Sequence, residues 1–356
     1  MERALSAPGK LFIAGEYAVL WGGIARVAAV GPRTTAVVRQ RQDRRIEVLL
    51  EGTRLAGNMT PAGVSWDEEP AAGFHFVART LDLVLRAVGK EGPGFSVALS
   101  PSPLGPGGSK LGLGSSARAV VLAAEAARFA LDARLDALKL ALVAHAEAQG
   151  GRGSGADVAA CFAGTMVRYR RYEVKPLLDV CGTAAFGARL ADAPPVDLFR
   201  VPGLKVPLAY AFTGQSASTR VMIAEIERRL DVGGRERFTL ASDALGRELE
   251  DGLLRADFTA VSEAMTRLQE LLATLGPVVT EGVDRLLALG RSQGCVGKIS
   301  GAGGGDGCIF ACPDDGARAA LLDSLKARGV HAMPLTIEEG LRGEPRGDAK
   351  LSGWFT

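Results

Sequence analysis

A glycine-rich segment at 112–117 has the residues needed to bind an anion. It reads Gly-Leu-Gly-Ser-Ser-Ala and precedes a stretch with the apolar spacing of a helix. The first turn of a helix has unpaired N–H groups and the positive end of the helix dipole, and glycine lets a ligand approach the backbone. Phosphate is the usual ligand of such a site. Lys110 adds a mobile cation, and Ser115 and Ser116 can contact phosphate or a phosphate-bound Mg²⁺.

Other interpretations of this segment must be weighed against phosphate binding. A Walker A loop is excluded, because G-x-x-x-x-G-K-[ST] does not occur in the sequence. The loose dinucleotide-binding form G-x-G-x-x-A fits Gly112, Gly114 and Ala117. It also requires an acidic residue about 20 positions on, at the end of a second strand, and that distance falls within a helical pattern here. A plain N-capped helix after a flexible loop stays open as the alternative.

Two further glycine-rich segments carry candidate residues. Ser-Gly-Ala-Gly-Gly-Gly-Asp-Gly at 300–307 follows Lys298 and has more glycines than a hairpin needs. Extra glycine indicates a backbone that a ligand or another segment approaches, with a plain hairpin as the alternative. The segment 151–160, Gly-Arg-Gly-Ser-Gly-Ala-Asp-Val-Ala-Ala, holds Asp157 in a turn before an apolar run. This carboxylate is a candidate base, or it caps a helix.

The elements that position these segments are predicted from apolar spacing. A helix follows the first glycine segment, with Ser115 or Ser116 as its cap. A second helix covers about 135–148, and His145 on its apolar side is interpreted as a core histidine rather than a catalyst. The predicted strands of this half are 11–14, 34–38, 46–50 and 95–99.

A proline cluster around 194–202 marks the predicted domain boundary, because apolar periodicity fails there. We therefore predict a first domain at 1–190, a second at 200–340 and a tail at 341–356. The second domain should be an α+β layer of helices against an antiparallel sheet. Its predicted elements are a helix capped by Ser218 or Thr219, helices at 258–275 and 281–290, strands at 295–299 and 307–312, a helix at 315–328 and a strand at 330–335.

Composition limits the class of protein further. The 356 residues carry a formal net charge of +2, which argues against a nucleic-acid binder that works through bulk positive charge. Five cysteines without C-x-x-C spacing and three histidines argue against a disulfide framework or a zinc site, and buried free thiols are expected. Neither a signal peptide nor a membrane span is evident. We expect a soluble cytoplasmic protein without nucleic-acid or membrane partners, and its oligomeric state is open, a homodimer included.

Three segments together resemble the motifs of the GHMP small-molecule kinases. They are Ala-Pro-Gly-Lys-Leu-Phe-Ile-Ala-Gly-Glu-Tyr-Ala-Val-Leu at 7–20, Lys-Leu-Gly-Leu-Gly-Ser-Ser-Ala at 110–117 and Lys-Ile-Ser-Gly-Ala-Gly-Gly-Gly-Asp-Gly at 298–307. The resemblance covers nearly the whole chain. It implies an α+β, two-domain fold: an N-terminal domain similar to ribosomal protein S5 domain 2 and a ferredoxin-like C-terminal domain, with ATP and substrate in the cleft between them.

The resemblance also implies roles for particular residues. Lys10 and Asp157 match the catalytic lysine and aspartate of the family. Ser116 and Glu147 would hold Mg²⁺, Glu147 being similar to the magnesium glutamate of mevalonate kinases. The ATP-binding residues would be Lys110, Gly112, Leu113, Gly114, Ser115, Ser116 and Ala117. The substrate-binding residues would be Lys10, Glu16, Tyr17, Lys110, Arg152, Ser154, Ser218, Arg220, Gly301, Ala302 and Gly303.

Within the family, several segments look like the phosphomevalonate kinase branch. They are Gly-Glu-Tyr at 15–17, Lys110 before Leu-Gly-Leu-Gly-Ser-Ser, Phe-Thr-Gly-Gln-Ser-Ala-Ser-Thr-Arg at 212–220, and Asp306 among glycines. The implied reaction uses ATP and Mg²⁺ to phosphorylate 5-phosphomevalonate to the diphosphate, in the mevalonate route to isoprenoids. The alternative is phosphorylation of the 5-hydroxyl of mevalonate. A catalytically silent ligand-binding protein on the same scaffold is a rival of another class.

Overall fold

A computed structural model describes residues 1–89, 92–108, 111–214 and 219–345, which form two α+β domains. The first domain is built on a mixed sheet. Its strands are β1 (Glu2–Ala14), β2 (Ile24–Gln40), β3 (Arg45–Leu50), β4 (Thr53–Thr60), β5 (Gly63–Trp66), β6 (Phe95–Leu99), β7 (Met166–Arg170), β8 (Leu198–Val201) and β13 (Arg342–Glu344). The order is β13-β1-β2-β6-β3-β4-β5, with β7 paired to β2 and β8 to β7. Among these pairs only β3–β6 is parallel.

Helices of the first domain cover the sheet. They are α1 (His75–Val88), α2 (Ser115–Ala130), α3 (Ala137–Ala148), α4 (Ala156–Ala163), α5 (Lys175–Leu178) and α6 (Phe186–Asp192). The central helix α2 is buried along most of its length, and its alanines let it pack against α1, α3, α4, β1 and β2. This packing fixes the start of α2 at the edge of the domain core, because neighbours surround the helix on several sides.

The second domain places helices on an antiparallel sheet. The strands are β9 (Leu208–Phe212), β10 (Val296–Ser300), β11 (Gly307–Ala311) and β12 (Ala332–Pro334), in the order β10-β11-β9-β12. The helices are α7 (Thr219–Arg229), α8 (Val232–Arg255), α9 (Phe258–Ala273), α10 (Glu281–Ser292) and α11 (Asp315–Lys326). An apolar cluster joins the two domains: Leu11 and Ile13 of β1 lie in it together with Leu245 and Leu249 of α8.

The structure changes the predicted domain limits. β8 lies beyond residue 190 but pairs with β7, so the first domain extends to at least Val201. The predicted tail is not a separate segment up to residue 345. Ile337 and Glu339 bridge to Val30 and Gly164, and β13 pairs with β1, so the chain returns to the first sheet. Residues 346–356 lie outside the described part.

Further differences concern helices. The sequence interpretation missed α1 and the 24-residue α8. It also expected a serine cap on α2, whereas the N-cap position is Gly114, which has no side chain to accept a bond. Among the helices of the described ranges, none combines the length and apolar character needed to cross a bilayer.

Candidate active site

In the loop before α2, buried leucines alternate with glycines whose backbone is accessible. Leu111 and Leu113 are 4% and 3% exposed and lie in the interdomain apolar cluster. Gly112 and Gly114 have φ of +72° and +78°, a conformation that strains other residues. Burial of the leucines therefore anchors the loop, while the glycine backbone stays accessible. No side chain of the described residues caps α2, so its first N–H groups point to whatever lies beyond Gly114.

Lys10 of β1 is seated directly on this loop. Its backbone N–H donates to the Leu113 carbonyl at 3.0 Å, and its ammonium donates to the Gly112 carbonyl at 3.0 Å. A Cβ on Gly114 would lie 2.9 Å from Cγ of Lys10, so the aliphatic stem crosses the glycine closely. The structure thus brings the predicted catalytic lysine to the N-terminus of α2, where the positive helix end and the ammonium both favour an anion.

Ser116 and Asp157 approach each other across His145. The Ser116 Oγ is 3.1 Å from His145 Nε2, and Asp157 Oδ2 is 3.8 Å from the same nitrogen. Asp157 lies in the first turn of α4 and its Oδ1 accepts from the Val158 N–H at 3.0 Å. A hydroxyl, a carboxylate and an imidazole therefore meet beside the phosphate-binding turn.

The third glycine segment reaches the same place from the second domain. A Cβ added to Gly112 would lie 3.2 Å from Cβ of Asp306, which places the two glycine segments in contact. Gly303 has φ of +68°, and a Cβ there would lie 2.5 Å from the Val278 carbonyl oxygen. Both positions require glycine because neighbouring atoms leave no room for a side chain.

Family comparisons agree with this arrangement. The N-terminal domain model of the GHMP kinases matches residues 75–165, and the GHMP kinase C-terminal model matches 249–331. A mevalonate kinase of Aeropyrum pernix is 30% identical over 97% of this chain and 99% of its own length. The chain belongs to the GHMP kinases. A phosphomevalonate kinase of a Streptomyces strain is 29% identical to this GHMP kinase over 93% of the chain and 96% of its own.

Solved structures share the fold of this GHMP kinase. The phosphomevalonate kinase of Streptococcus pneumoniae, in complex with phosphomevalonate and AMPPNP, superposes with a TM-score of 0.77 at 22% identity, over 93% of this chain and 99% of that one. The mevalonate kinase of Methanococcus jannaschii gives 0.72 at 19% identity, over 95% and 99%. The predicted two-domain α+β GHMP kinase fold is confirmed. Membership makes the chain an ATP-dependent phosphotransferase.

Glu16 and Tyr17 of this GHMP kinase, which are predicted to bind substrate, make contacts within the protein. The Glu16 carboxylate is buried and paired with Lys298, whose ammonium also donates to the Ile299 carbonyl at 2.6 Å. The Tyr17 hydroxyl donates to the Ala302 carbonyl, and burial raises the pKa of this phenol. Their roles in substrate binding stay predictions. They join the first motif to the third across the two domains.

The carboxylate of Glu147 is paired with an arginine. Arg79 of α1 binds both of its carboxylate oxygens, with Nε 2.9 Å from Oε2. Two residues along a helix amount to about 200° of rotation, so Glu147 and His145 face in different directions. The Mg²⁺ role of Glu147 stays a prediction, and the side chain that contacts Ser116 from α3 is His145.

A small cavity beside His145, with a volume of about 10 Å³, has room for about one water molecule rather than for the acceptor. Arg152 and Ser154, both predicted to bind substrate, lie in its wall. The Ser154 carbonyl accepts from the Tyr169 hydroxyl at 2.9 Å, which fixes the turn. Further lining residues are Leu142, Ala146, Gly153, Gly155, Tyr172 and Val174.

Several predicted residues cannot be placed in this geometry. Lys110 and Ser218 lie outside the described residues, and so does the side chain of Arg220. Their roles stay predictions. Gly301 and Ala302 lie at the end of β10 as predicted for the third segment, with the Ala302 carbonyl bound to Tyr17.

The donor set near Ser116 fits a magnesium nucleotide rather than a cation held by protein alone. In the part of the chain that the structure describes, no group of three or more His, Cys, Asp and Glu side chains could hold a metal. Mg²⁺ commonly takes one or two protein oxygens together with substrate phosphates and waters. Ser116 and Asp157 supply such oxygens next to the open start of α2.

Proposed function

We propose that this GHMP kinase transfers the γ-phosphoryl group of ATP to the terminal phosphate of 5-phosphomevalonate, giving 5-diphosphomevalonate. The observation that carries the proposal is the charge of the side chains near Ser116 and Asp157. Arg152 lies in the wall of the small cavity beside His145, and the carboxylate of Glu147 is bound by Arg79. Among the described residues, Asp157 supplies a carboxylate near Ser116. A phosphate acceptor is already an anion near neutral pH, so it needs cations more than it needs a base.

Residues of the chain account for the steps around the nucleotide. The N–H groups at the start of α2 bind the phosphates of ATP, since they are unpaired and lie at the positive helix end. Lys10 places its ammonium on the same loop and neutralises charge as the phosphoryl group moves. Ser116 and Asp157 would hold Mg²⁺, which would supply neutralisation of negative charge on the phosphates. Phosphoryl transfer depends mostly on this positioning and neutralisation.

Phosphorylation of the mevalonate 5-hydroxyl is the second candidate. Asp157 favours it, because a carboxylate near the reacting atoms can take the hydroxyl proton. The similarity to the Aeropyrum pernix mevalonate kinase supports it to about the same degree as the Streptomyces relative supports the first. The two candidates share fold, nucleotide and metal, and they differ only in the acceptor.

An acceptor assay distinguishes the two. The protein is incubated with ATP and Mg²⁺ and either phosphomevalonate or mevalonate, and products are followed by phosphorus NMR. We expect a diphosphate from phosphomevalonate and no turnover of mevalonate. Turnover of mevalonate alone would establish the second candidate, and tight ATP binding without turnover of either would favour the silent scaffold.

Arg152, the cation in the cavity wall, gives a second test of the acceptor. Arg152→Ala should raise the KM for phosphomevalonate by about tenfold while the KM for ATP stays constant, since a charge-assisted contact is worth about 1.5–3 kcal/mol. Arg134→Ala, at an exposed position before α3, is the matched control and should change neither constant. Lys110→Ala tests the predicted acceptor role of Lys110 in the same assay.

A further inference from the structure

His145 lies where three helices meet, two of which carry the candidate reacting groups. It belongs to α3, while Ser116 is on α2 and Asp157 on α4. Its Nε2 is 3.1 Å from the Ser116 Oγ and 3.8 Å from Asp157 Oδ2. The side chain is 3% exposed. The imidazole therefore touches the candidate phosphate-binding hydroxyl while facing the candidate catalytic carboxylate.

The ring itself is held in place by two further side chains. Phe76 of α1 packs on it, with ring centroids 5.4 Å apart and planes inclined by 30°. The amide nitrogen of Gln149, at the C-cap of α3, is 3.3 Å from Nε2. We assign the ring proton to Nδ1, so that Nε2 accepts a hydrogen bond from the Ser116 hydroxyl.

This hydrogen bond has a consequence for the serine oxygen. When the Ser116 proton is directed to His145, the lone pairs of Oγ stay free to bind a ligand. A metal ion or a phosphate-bound water needs those lone pairs. Without the imidazole, the hydroxyl can rotate, and its proton can occupy the direction that the ligand requires.

We propose that His145 is a positioning residue that orients Ser116 for Mg²⁺ and holds Asp157 at a fixed separation from it. Its effect on the reaction goes through these two residues. The proposal rests on the proposed function for the role of Ser116, and it names a side chain that sequence reasoning assigned to the core. Groups that orient a metal ligand typically change metal affinity or activity 10–100-fold when removed, so the expected effect is about that size.

Paired substitutions at His145 provide the test. His145→Leu keeps an apolar side chain in the core but removes the acceptor, whereas His145→Gln places an acceptor near the former Nε2. We expect His145→Leu to raise the Mg²⁺ concentration for half-maximal rate by about tenfold or more. His145→Gln should recover most of that loss. Val143→Ala, in the buried face of the same helix, lowers stability without touching Ser116 and should leave the Mg²⁺ dependence unchanged.

A binding measurement separates this inference from the proposed function. Calorimetry with a non-hydrolysable ATP analogue gives its affinity with Mg²⁺ and with a chelator, without any acceptor. His145→Leu should lose the gain in affinity that Mg²⁺ gives the unmodified protein, and His145→Gln should keep it. Equal behaviour of both variants and the unmodified protein would overturn the inference, whichever acceptor is used. Failure of both acceptors in the unmodified protein would instead overturn the proposed function alone.

Discussion

Lys298 and Glu16 form an ion pair that is closed to solvent and spans the two domains. The lysine is on β10 of the second domain and the glutamate follows β1 of the first, 282 positions away. Ser300, two residues after the lysine, donates to the Phe12 carbonyl at 2.9 Å. The first and third motifs are therefore joined directly, and their relative position depends on a pair of buried charges.

Breaking this ion pair should lower the free energy of unfolding. Lys298→Met leaves the Glu16 carboxylate buried without its cation, and removal of one partner of a buried pair typically costs about 3–5 kcal/mol. Urea unfolding should show that loss, and the double variant Lys298→Met with Glu16→Leu should regain much of it. Arg267→Ala is the control, because its pair with Glu248 is exposed and should cost less than about 1 kcal/mol. Equal losses for the buried and the exposed pair would contradict the prediction.

Gly114 can be tested against a glycine of the same conformation elsewhere. Gly114→Ala places a Cβ 2.9 Å from the Lys10 stem, whereas Gly203, with φ of +81°, has no atom within 4 Å of such a Cβ. Both alanines should cost about 1–2 kcal/mol of backbone strain. Only Gly114→Ala should also lower kcat/KM for ATP, by about 10²-fold, because Lys10 is displaced. Steady-state kinetics and thermal unfolding of both variants check this.

Lys10 should matter for the rate more than for the fold. Lys10→Met keeps a long apolar stem against Gly114 but removes the ammonium from the loop. Loss of one group that stabilises developing charge typically lowers kcat by about 10²–10³-fold. Lys205→Met, at an exposed position of the second domain, should leave kcat unchanged. A Lys10→Met enzyme with unaltered kcat would remove the lysine from the proposed catalytic group.

Thiol chemistry should report the burial of the cysteines. All five are free, and among them only Cys181 is not fully buried. Burial raises the pKa of the Cys161 and Cys308 thiols to about 12, so they stay protonated and unreactive at neutral pH. We expect a maleimide to label the folded protein at Cys181 alone and all five thiols in urea. Cys181→Ser should abolish labelling of the folded form, and a second rapidly labelled site would contradict this.

Local patterns predicted the shape of the loop before α2 well, and its phosphate-binding role stays a prediction. Alternation of leucine and glycine before a helical stretch is a short-range signal, and the structure places Leu113 in the core and Gly114 at the helix start as that pattern requires. The helices and strands of the second domain were predicted to within a few residues for the same reason. The exceptions are β9, for which no strand was predicted, and α8. Gly233 and Gly234 of α8 suggest a loop, although Asp231 caps the helix and the packing of α8 against α9 sustains it.

Contacts between distant segments could not be predicted in this way. The resemblance to mevalonate kinases indicated Glu147 as the metal residue. A helix turns by about 100° per residue, however, and only the docking of α3 decides which side chain faces α2. His145 was assigned to the core because its neighbours are apolar. His145 is indeed buried, but that assignment missed its hydrogen bond with Ser116.

The return of β13 to β1 has a consequence for the order of folding. Residues 342–344 pair with Ala4–Ser6 at the border of the first sheet, and Arg33 fastens the returning segment through the carbonyls of Glu339 and Gly340. On the ribosome, the second domain emerges before this border strand does. Until then the rim of β1 presents unpaired backbone groups, which attract strands of other chains. A nascent chain halted at residue 335 would hold its whole phosphate loop and yet be prone to aggregate.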